Sequence, residues 1–259
     1  PSGPDRAEGW GGFSVGHVVS ISVRDSAALL DAVEGAEASS PYHAPPRERP
    51  YAEEVEREPG RLRVAFTDVS PYGEPIDAEV AEAVRDTARL LEKLGHDVEQ
   101  RAPQLPADPA AVMATIVSAN TALAVRLAER ALDLAGVDYV EAQLDAFRIA
   151  RALAAFFVDV DVFLSPTLCT PPVKIGELDT MASDLSHVGP ILRRYMPGTS
   201  MFNMSGQPAM SVPLAWSRAE LPLGMMFAAR FGDEATLFRL AAQLEQARPW
   251  RDRRPAICA

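Results

Sequence analysis

At 259 residues the chain is long enough to bury a substantial core in one large α/β domain or two small ones, and its hydrophobic fraction of 47% is that of an ordinary globular protein. A formal net charge of -11 leaves no basic patch to neutralise phosphates, which argues against a nucleic-acid partner. The longest apolar stretch, near Ala110–Val125, is broken by Thr115, Ser118, Asn120 and Thr121, which argues against a membrane span.

No signal peptide is visible, and the two cysteines, Cys169 and Cys258, suit a reducing compartment, so a cytoplasmic location is expected. Their spacing has no value as a metal site, and neither a metal nor a cofactor is expected. The sequence opens Pro-Ser-Gly-Pro, without Met or leader, and reads as a piece of a longer product.

In chain order, a Gly- and Pro-rich opening of sixteen residues reads as a loop. HVVSIS, at 17–22, alternates and is β-branched, which predicts a strand. Asp25 and Ser26 offer N-cap chemistry to a helix over Ala27–Val33, with Leu29, Leu30 and Val33 on one face and Gly35 at its end. Ser39–Gly60 is polar and Pro-rich, a linker between residues 1–38 and an α/β part spanning 61–259. Within that part LRVAFT predicts a strand, and Asp77 caps a helix whose Val80, Val84, Ala88, Leu91 and Leu94 recur every three or four residues until Gly95.

HDVEQRAP predicts the next strand, and Asp108–Pro109 opens a helix to about Leu134 that stops at Gly136. A second helix is expected over roughly Tyr139–Val158, then strands at DVFLSPT, PAMSVPL and PLGMMFAA. Gly232–Asp233 starts a last helix with Leu237, Leu240, Ala241 and Leu244 inward. Strands alternating with helices imply an α/β fold, a layered mixed β-sheet flanked by helices.

Residues 12–16, GFSVG, match G-x-S-x-G, the serine hydrolase nucleophile elbow. An elbow needs a strand before the serine and a helix after it, so that helix dipole and backbone N–H groups meet the oxyanion. Here a Gly/Pro loop precedes Ser14 and a strand-like run follows it. His43, His96 or His187 could complete a triad with many carboxylates, a freedom that proves little. The competing reading is a glycine loop that lets two segments pack closely.

Several stretches resemble the amidase signature family of serine hydrolases. They are GFSVGHVVSISVRDSAALLDAVEG, FTDVSPYGEPIDAEVAEAVRDTARLLEKLGHDVEQRAP, VDVFLSPTLCTPP, NMSGQPAMSVPL and LPLGMMFAARFGDEATLFRLAAQLEQARPW. Their order, spacing and coverage carry the resemblance, and it implies the C-terminal part of the amidase signature fold. It also implies hydrolysis of a carbon–nitrogen (amide) or ester bond. In the family a neutral lysine acts as general base through a bridging serine held by a cis peptide, and a second serine attacks the carbonyl to give an acyl-enzyme.

The family's glycine- and serine-rich run, G-G-S-S-G-G in outline, is not in this sequence. Lys93 and Lys174, its only lysines, have no such loop downstream. The resemblance therefore implies that the whole triad lies upstream of Pro1, that these residues hold no catalytic group, and that the isolated chain is inactive. Two departures, Gly16 where relatives often carry an acidic residue and Ile21 where they commonly carry arginine, alter local polar detail.

On that basis this part of the family shapes the substrate cavity. The loop Thr167–Thr170 leaves a strand end, where α/β folds place ligands, with Cys169 as a small wall residue or an inert buried thiol. Met201-Phe202-Asn203 is the second candidate, Phe202 lining a pocket or packing in the core and Asn203 donating to substrate or capping a turn. Ile116, with Met113, Val117 and Asn120, lies on a helix face that suits a tunnel or a core. His187 reads as a loop histidine.

Expected partners are a small-molecule amide or ester substrate, the upstream half of the same enzyme and a second copy in a homodimer. Two other functions stay open: an autonomous esterase using Ser14, and a non-catalytic binding module on the same scaffold.

Overall fold

The computed structural model describes residues 8–35, 43–71, 75–124, 135–179, 188–195 and 198–254. Five strands form one sheet: β1 (Arg63–Phe66), β2 (Asp97–Gln100), β3 (Val162–Pro166), β4 (Ala209–Trp216) and β5 (Pro222–Ala229), in the order β2-β1-β3-β5-β4. β1 runs parallel to both β2 and β3, while β5 is antiparallel to β3 and to β4. The sheet is therefore mixed in direction.

Helices cover both faces: α1 (Val23–Val33), α2 (Tyr51–Glu54), α3 (Ala78–Lys93), α4 (Pro109–Ala124), α5 (Gly136–Phe156), α6 (Val188–Tyr195), α7 (Thr199–Ser205) and α8 (Glu234–Ala247). Because side chains alternate along a strand, β3 sends Val162 and Leu164 to one layer and Phe163 to the other. The first layer packs them against Val84 and Leu91 of α3 and Leu240 and Leu244 of α8. The second packs Phe163, Met226 and Ala228 against Ile116 of α4, Ile149 and Leu153 of α5, and Met201 and Phe202 of α7. β3 is buried along its whole length, which is why it reads as a continuous apolar run.

Most elements form where patterning places them. Asp77 accepts from Glu79 N–H at 2.8 Å and starts α3, whose buried stripe is Val80, Val84, Ala88 and Leu91, and Gly95 at φ 94° closes it. Asp108 accepts from Ala110 N–H at 2.9 Å and starts α4. The expected continuation of α4 to Leu134, as well as His187 and Cys258, lies outside the described residues. α5 begins at Gly136, three residues early, because Asp138 accepts from Ala135 N–H at 2.9 Å and closes the first turn there.

The expected strand at HVVSIS is not formed. Residues 14–20 have no regular structure, and Val15, Val18, Val19 and Ile21 are exposed. Alternation fits a residue run to a pleated surface, but a strand also needs a ladder partner, and among the described residues none lies beside it. α1 is also displaced: it starts at Val23, capped by Ser22, whose hydroxyl accepts from Asp25 N–H at 3.1 Å. Its buried residues are Val23 and Ala27, whereas Leu29 and Val33, expected inward, are exposed.

Residues 43–60, within the segment read as a linker, are tied to their neighbours. Asp31 of α1 accepts from the N–H groups of Tyr51 at 2.7 Å and Ala52 at 2.9 Å, and pairs with Arg47. Among the described residues no helix is long and apolar enough to cross a membrane.

A cleft at the C-terminal ends of β1 and β3 as candidate site

Parallel strands joined by long crossovers leave a crevice beyond their C-terminal ends. Here β1 and β3 end side by side, with Thr67 N–H donating to Leu164 carbonyl at 3.0 Å, and a cleft of about 490 Å³ opens at that point. Phe163, Leu105 and Met201 give it apolar walls, and Thr67, Ser165, Asp108 and Arg193 contribute polar groups.

Three helices meet at the cleft. The start of α4 brings Asp108, whose second carboxylate oxygen accepts from Arg193 Nη1 of α6 at 2.6 Å. Both side chains are about one-third exposed, and the pair closes one side of the opening. Gly198 and Met201 enter at the beginning of α7. Beneath them lies Ser165, 4% exposed, whose Oγ has no hydrogen-bond partner among the described residues.

Register extends this polar strip across the sheet. Ser165 stands opposite Met226, which in turn stands opposite Ser211, so the two serines share a face. Thr167 Oγ1 and Ser211 Oγ lie 2.7 Å apart, bridging the end of β3 to β4 above Gly224.

None of the four residues singled out from the sequence lines this cleft. Ile116 and Phe202 are brought together in the second core layer, 1% and 4% exposed, with the Phe202 ring centroid 6.5 Å from that of the cleft residue Phe163. Asn203 Nδ2 donates to Phe13 carbonyl at 2.9 Å, holding the N-terminal loop on α7. Cys169 is fully buried, and desolvation pushes its thiol up to about 12. Its backbone joins two elements, accepting from Asp77 N–H at 2.8 Å and donating to Tyr195 carbonyl at 3.1 Å.

The close approach is made by the residue just ahead of GFSVG, whereas of the motif's own glycines Gly12 meets only the Glu8 side chain and Gly16 has open space around it. Gly11 has φ 64°, and a Cβ there would stand 3.3 Å from the Tyr139 hydroxyl and 3.5 Å from Ile116 Cγ2. Ser14 is exposed, no helix follows it directly, and among the described residues no histidine hydrogen-bonds to it. His17 instead meets Ser26 Oγ at 2.9 Å.

Sequence reasoning missed Ser165, Arg193 and Asp108 as one group. A usable signal existed for Ser165, the one hydroxyl within the apolar run VFLSP. Arg193 and Asp108 stand 85 positions apart, and no local pattern links them.

Comparison with known proteins places this architecture. The Amidase family model matches residues 12–138 and 120–238. The chain is 34% identical over 267 residues to a 6-aminohexanoate-cyclic-dimer hydrolase of Pseudomonas sp. (strain NK87), covering 91% of this chain and 54% of that protein. The enzyme of the same name from Paenarthrobacter ureafaciens is 33% identical over 268 residues, with the same coverage of 91% and 54%.

Among solved structures, 6-aminohexanoate cyclic dimer hydrolase complexed with substrate has a TM-score of 0.83 at 31% identity, covering 91% of this chain and 55% of that one. A bacterial aryl acylamidase of the amidase signature family shares the fold at a TM-score of 0.73 and 19% identity, covering 88% and 52%. The chain thus spans about half the length of the relatives it matches. Its mixed sheet and flanking helices are those of the amidase signature fold, and the chain belongs to the amidase family.

Proposed function

We propose that this chain is the C-terminal part of a cytoplasmic hydrolase that cleaves amide or ester bonds through a serine, a cis-bonded bridging serine and a lysine supplied by upstream sequence. These residues would provide scaffold and pocket walls. Family membership carries this reading. The absence of a G-G-S-S-G-G run from these 259 residues supports an upstream origin for the triad. A lysine serves as a base once burial disfavours its ammonium form, and Lys93 and Lys174 are both exposed, which fits neither to that role.

The upstream half finds a seat at the sheet edge. Among the described residues β4 is paired on one side only, and its other side faces a groove of about 1290 Å³ whose far wall is the segment 17–23. Apolar side chains on both walls, among them Val19, Ile21 and Met210, would be covered by strands inserted there. That arrangement also accounts for the β-like pattern of HVVSIS, a run written for a ladder partner upstream. Within the pocket, Phe202 and Ile116 would act by backing Phe163, and Asn203 and Cys169 by fixing the segments around it.

The test is hydrolysis of an acyl p-nitroanilide and the matching p-nitrophenyl ester by the full-length protein carrying this sequence, alongside Ser14→Ala. Turnover retained in the variant is expected. Loss of turnover in Ser14→Ala would transfer the nucleophile to GFSVG, and no turnover on any amide or ester would remove the hydrolase reading.

A further inference from the structure

α5 is apolar on two opposite faces. Ala142, Ala146, Ile149 and Leu153 share one face at helical spacing, and all four are buried in the core. Half a turn away, Val137, Val140, Leu144 and Phe147 are 60%, 52%, 47% and 62% exposed, and Ala154 continues their spacing in the open. A helix lying on a core ordinarily turns a polar face outward. Apolar residues scattered singly over a surface need no explanation, but these recur at intervals of three and four, which is the pattern of a helix seam.

We propose that this face pairs with the same face of a second copy of the chain, the two α5 helices running antiparallel about a two-fold axis between Leu144 and Phe147. Charge sets both the occupant and the direction. Glu141 and Arg148 stand seven residues apart, so both lie on the same flank of the seam, and both are exposed. A two-fold that seats Leu144 against Phe147 of the second copy brings Glu141 beside Arg148 of that copy, and symmetry makes the contact twice. A parallel pairing would set this flank against the other one, where Gln143 and Ala150 carry no charge, and would gain neither ion pair.

Both groups can serve. Arg148 Nη1 donates to Asp145 Oδ1 at 2.6 Å within the helix, but its side chain is 56% exposed and a guanidinium has further N–H groups to give. Arg151 lies on the seam itself and would face Val140 of the second copy, its stem extending the apolar contact while its head stays in water. A lone charge on a seam holds the register against sliding. The 21 residues of α5 span about 30 Å, and one helix pair of that length buries less than the roughly 1,600 Å² of a standard interface, so a reversible dimer is expected.

No residue of α5 lines the cleft, and the inference stands apart from the hydrolase reading. Its test is sedimentation equilibrium of the full-length protein carrying this sequence, over a hundredfold range of micromolar concentration. The mass is expected to rise with concentration from monomer towards dimer. Phe147→Glu puts two carboxylates beside the axis and should raise the dissociation constant at least about a hundredfold. Glu141→Arg and Arg148→Glu should each raise it about tenfold, because each repulsion is made twice, and the two together should return it close to the wild-type value.

The altered side chains are exposed in the monomer, so melting temperatures measured at a concentration where every variant is monomeric should nearly coincide. A mass that stays monomeric at the highest concentration overturns the inference. A large fall in melting temperature for Phe147→Glu in that monomer would assign the face to another part of the full-length chain instead. A dimer that survives Phe147→Glu uses a different surface, and a double charge exchange that fails to restore dimerisation removes the antiparallel pairing.

Discussion

Arg239 Nε donates to Glu54 Oε2 at 2.6 Å, joining the last helix to the Pro-rich segment between α1 and β1. Glu54 is 1% exposed and also accepts from Arg49 Nη1 at 2.8 Å, so one buried carboxylate is hydrogen-bonded by two guanidinium groups, with a third, that of Arg57, 4.0 Å away. Burial pushes its carboxyl up, but the hydrogen bonds and the positive charges of Arg239 and Arg49 together outweigh burial and hold it below the ordinary glutamate range. Removing the shared acceptor leaves two cations that reach water only in part. Glu54→Ala is expected to cost about 2–3 kcal/mol at pH 7 in urea unfolding of the full-length protein.

Because the folded pKa is lowered, that contribution is complete above the free-glutamate value of about 4.3 and is lost as pH falls through the lower folded value. The gap between wild type and Glu54→Ala should therefore narrow below about pH 4. A gap of constant size down to pH 3 would show that the carboxylate charge is not what binds the segment.

How much of this was legible depends on what each element requires. α3 could be read because its cap and its stripe, Asp77 followed by Val80, Val84, Ala88 and Leu91, are both local. β3 could be read because a central strand is apolar throughout. HVVSIS misled because its alternation is local, whereas a strand also needs a ladder partner and among the described residues none lies beside it. α7 was missed because seven residues, TSMFNMS, are too few to display a 3.6-residue period. The cleft was illegible for a similar reason: Ser165, Asp108 and Arg193 come from three separate elements, and the contact between the last two is a product of packing.

Gly224 is expected to resist substitution. A Cβ at that position would fall 2.6 Å from Ser211 Oγ, 2.9 Å from Thr167 Oγ1 and 3.2 Å from Thr167 Cβ. The hydroxyls can rotate aside, at the loss of their 2.7 Å bond, but Thr167 Cβ is fixed by the backbone bond from Thr167 N–H to Gly224 carbonyl at 3.0 Å. Gly224→Ala should lower stability by about 1–3 kcal/mol, the usual cost of overpacking. Adding Ser211→Ala should recover part of that, so the double variant melts above the value expected from adding the single effects. Strict additivity would mean that the clash lies elsewhere.

Asn203 holds the N-terminal glycine turn through a single bond, from its Nδ2 to Phe13 carbonyl at 2.9 Å. Asn203→Ala is expected to cost about 1 kcal/mol. Asn203→Asp should cost at least as much, since a carboxylate has no N–H to donate and would face a carbonyl. Hydrogen exchange should localise the effect. The Gly12 and Ser14 amides, each bonded to Gly9 carbonyl at 3.2 Å, should exchange faster while the amides of β3 stay as they were. Equal acceleration in β3 would make Asn203 a core determinant instead of a loop anchor.

Cys169 separates a pocket-wall role from a buried one. Its thiol is fully enclosed, and desolvation alone pushes it up to about 12, because the thiolate would lose its hydration without gaining a cation. At pH 8 a thiol with that pKa is ionised in only about one molecule in ten thousand, and the reagent must also reach it. In a full-length background where every other cysteine, Cys258 included, is serine, native protein at pH 8 should show almost no reaction with 5,5′-dithiobis(2-nitrobenzoate). Denaturation in guanidinium should release one full equivalent. Rapid native labelling would place Cys169 at an accessible wall, and protection of that labelling by an added amide or ester would then put it in contact with substrate.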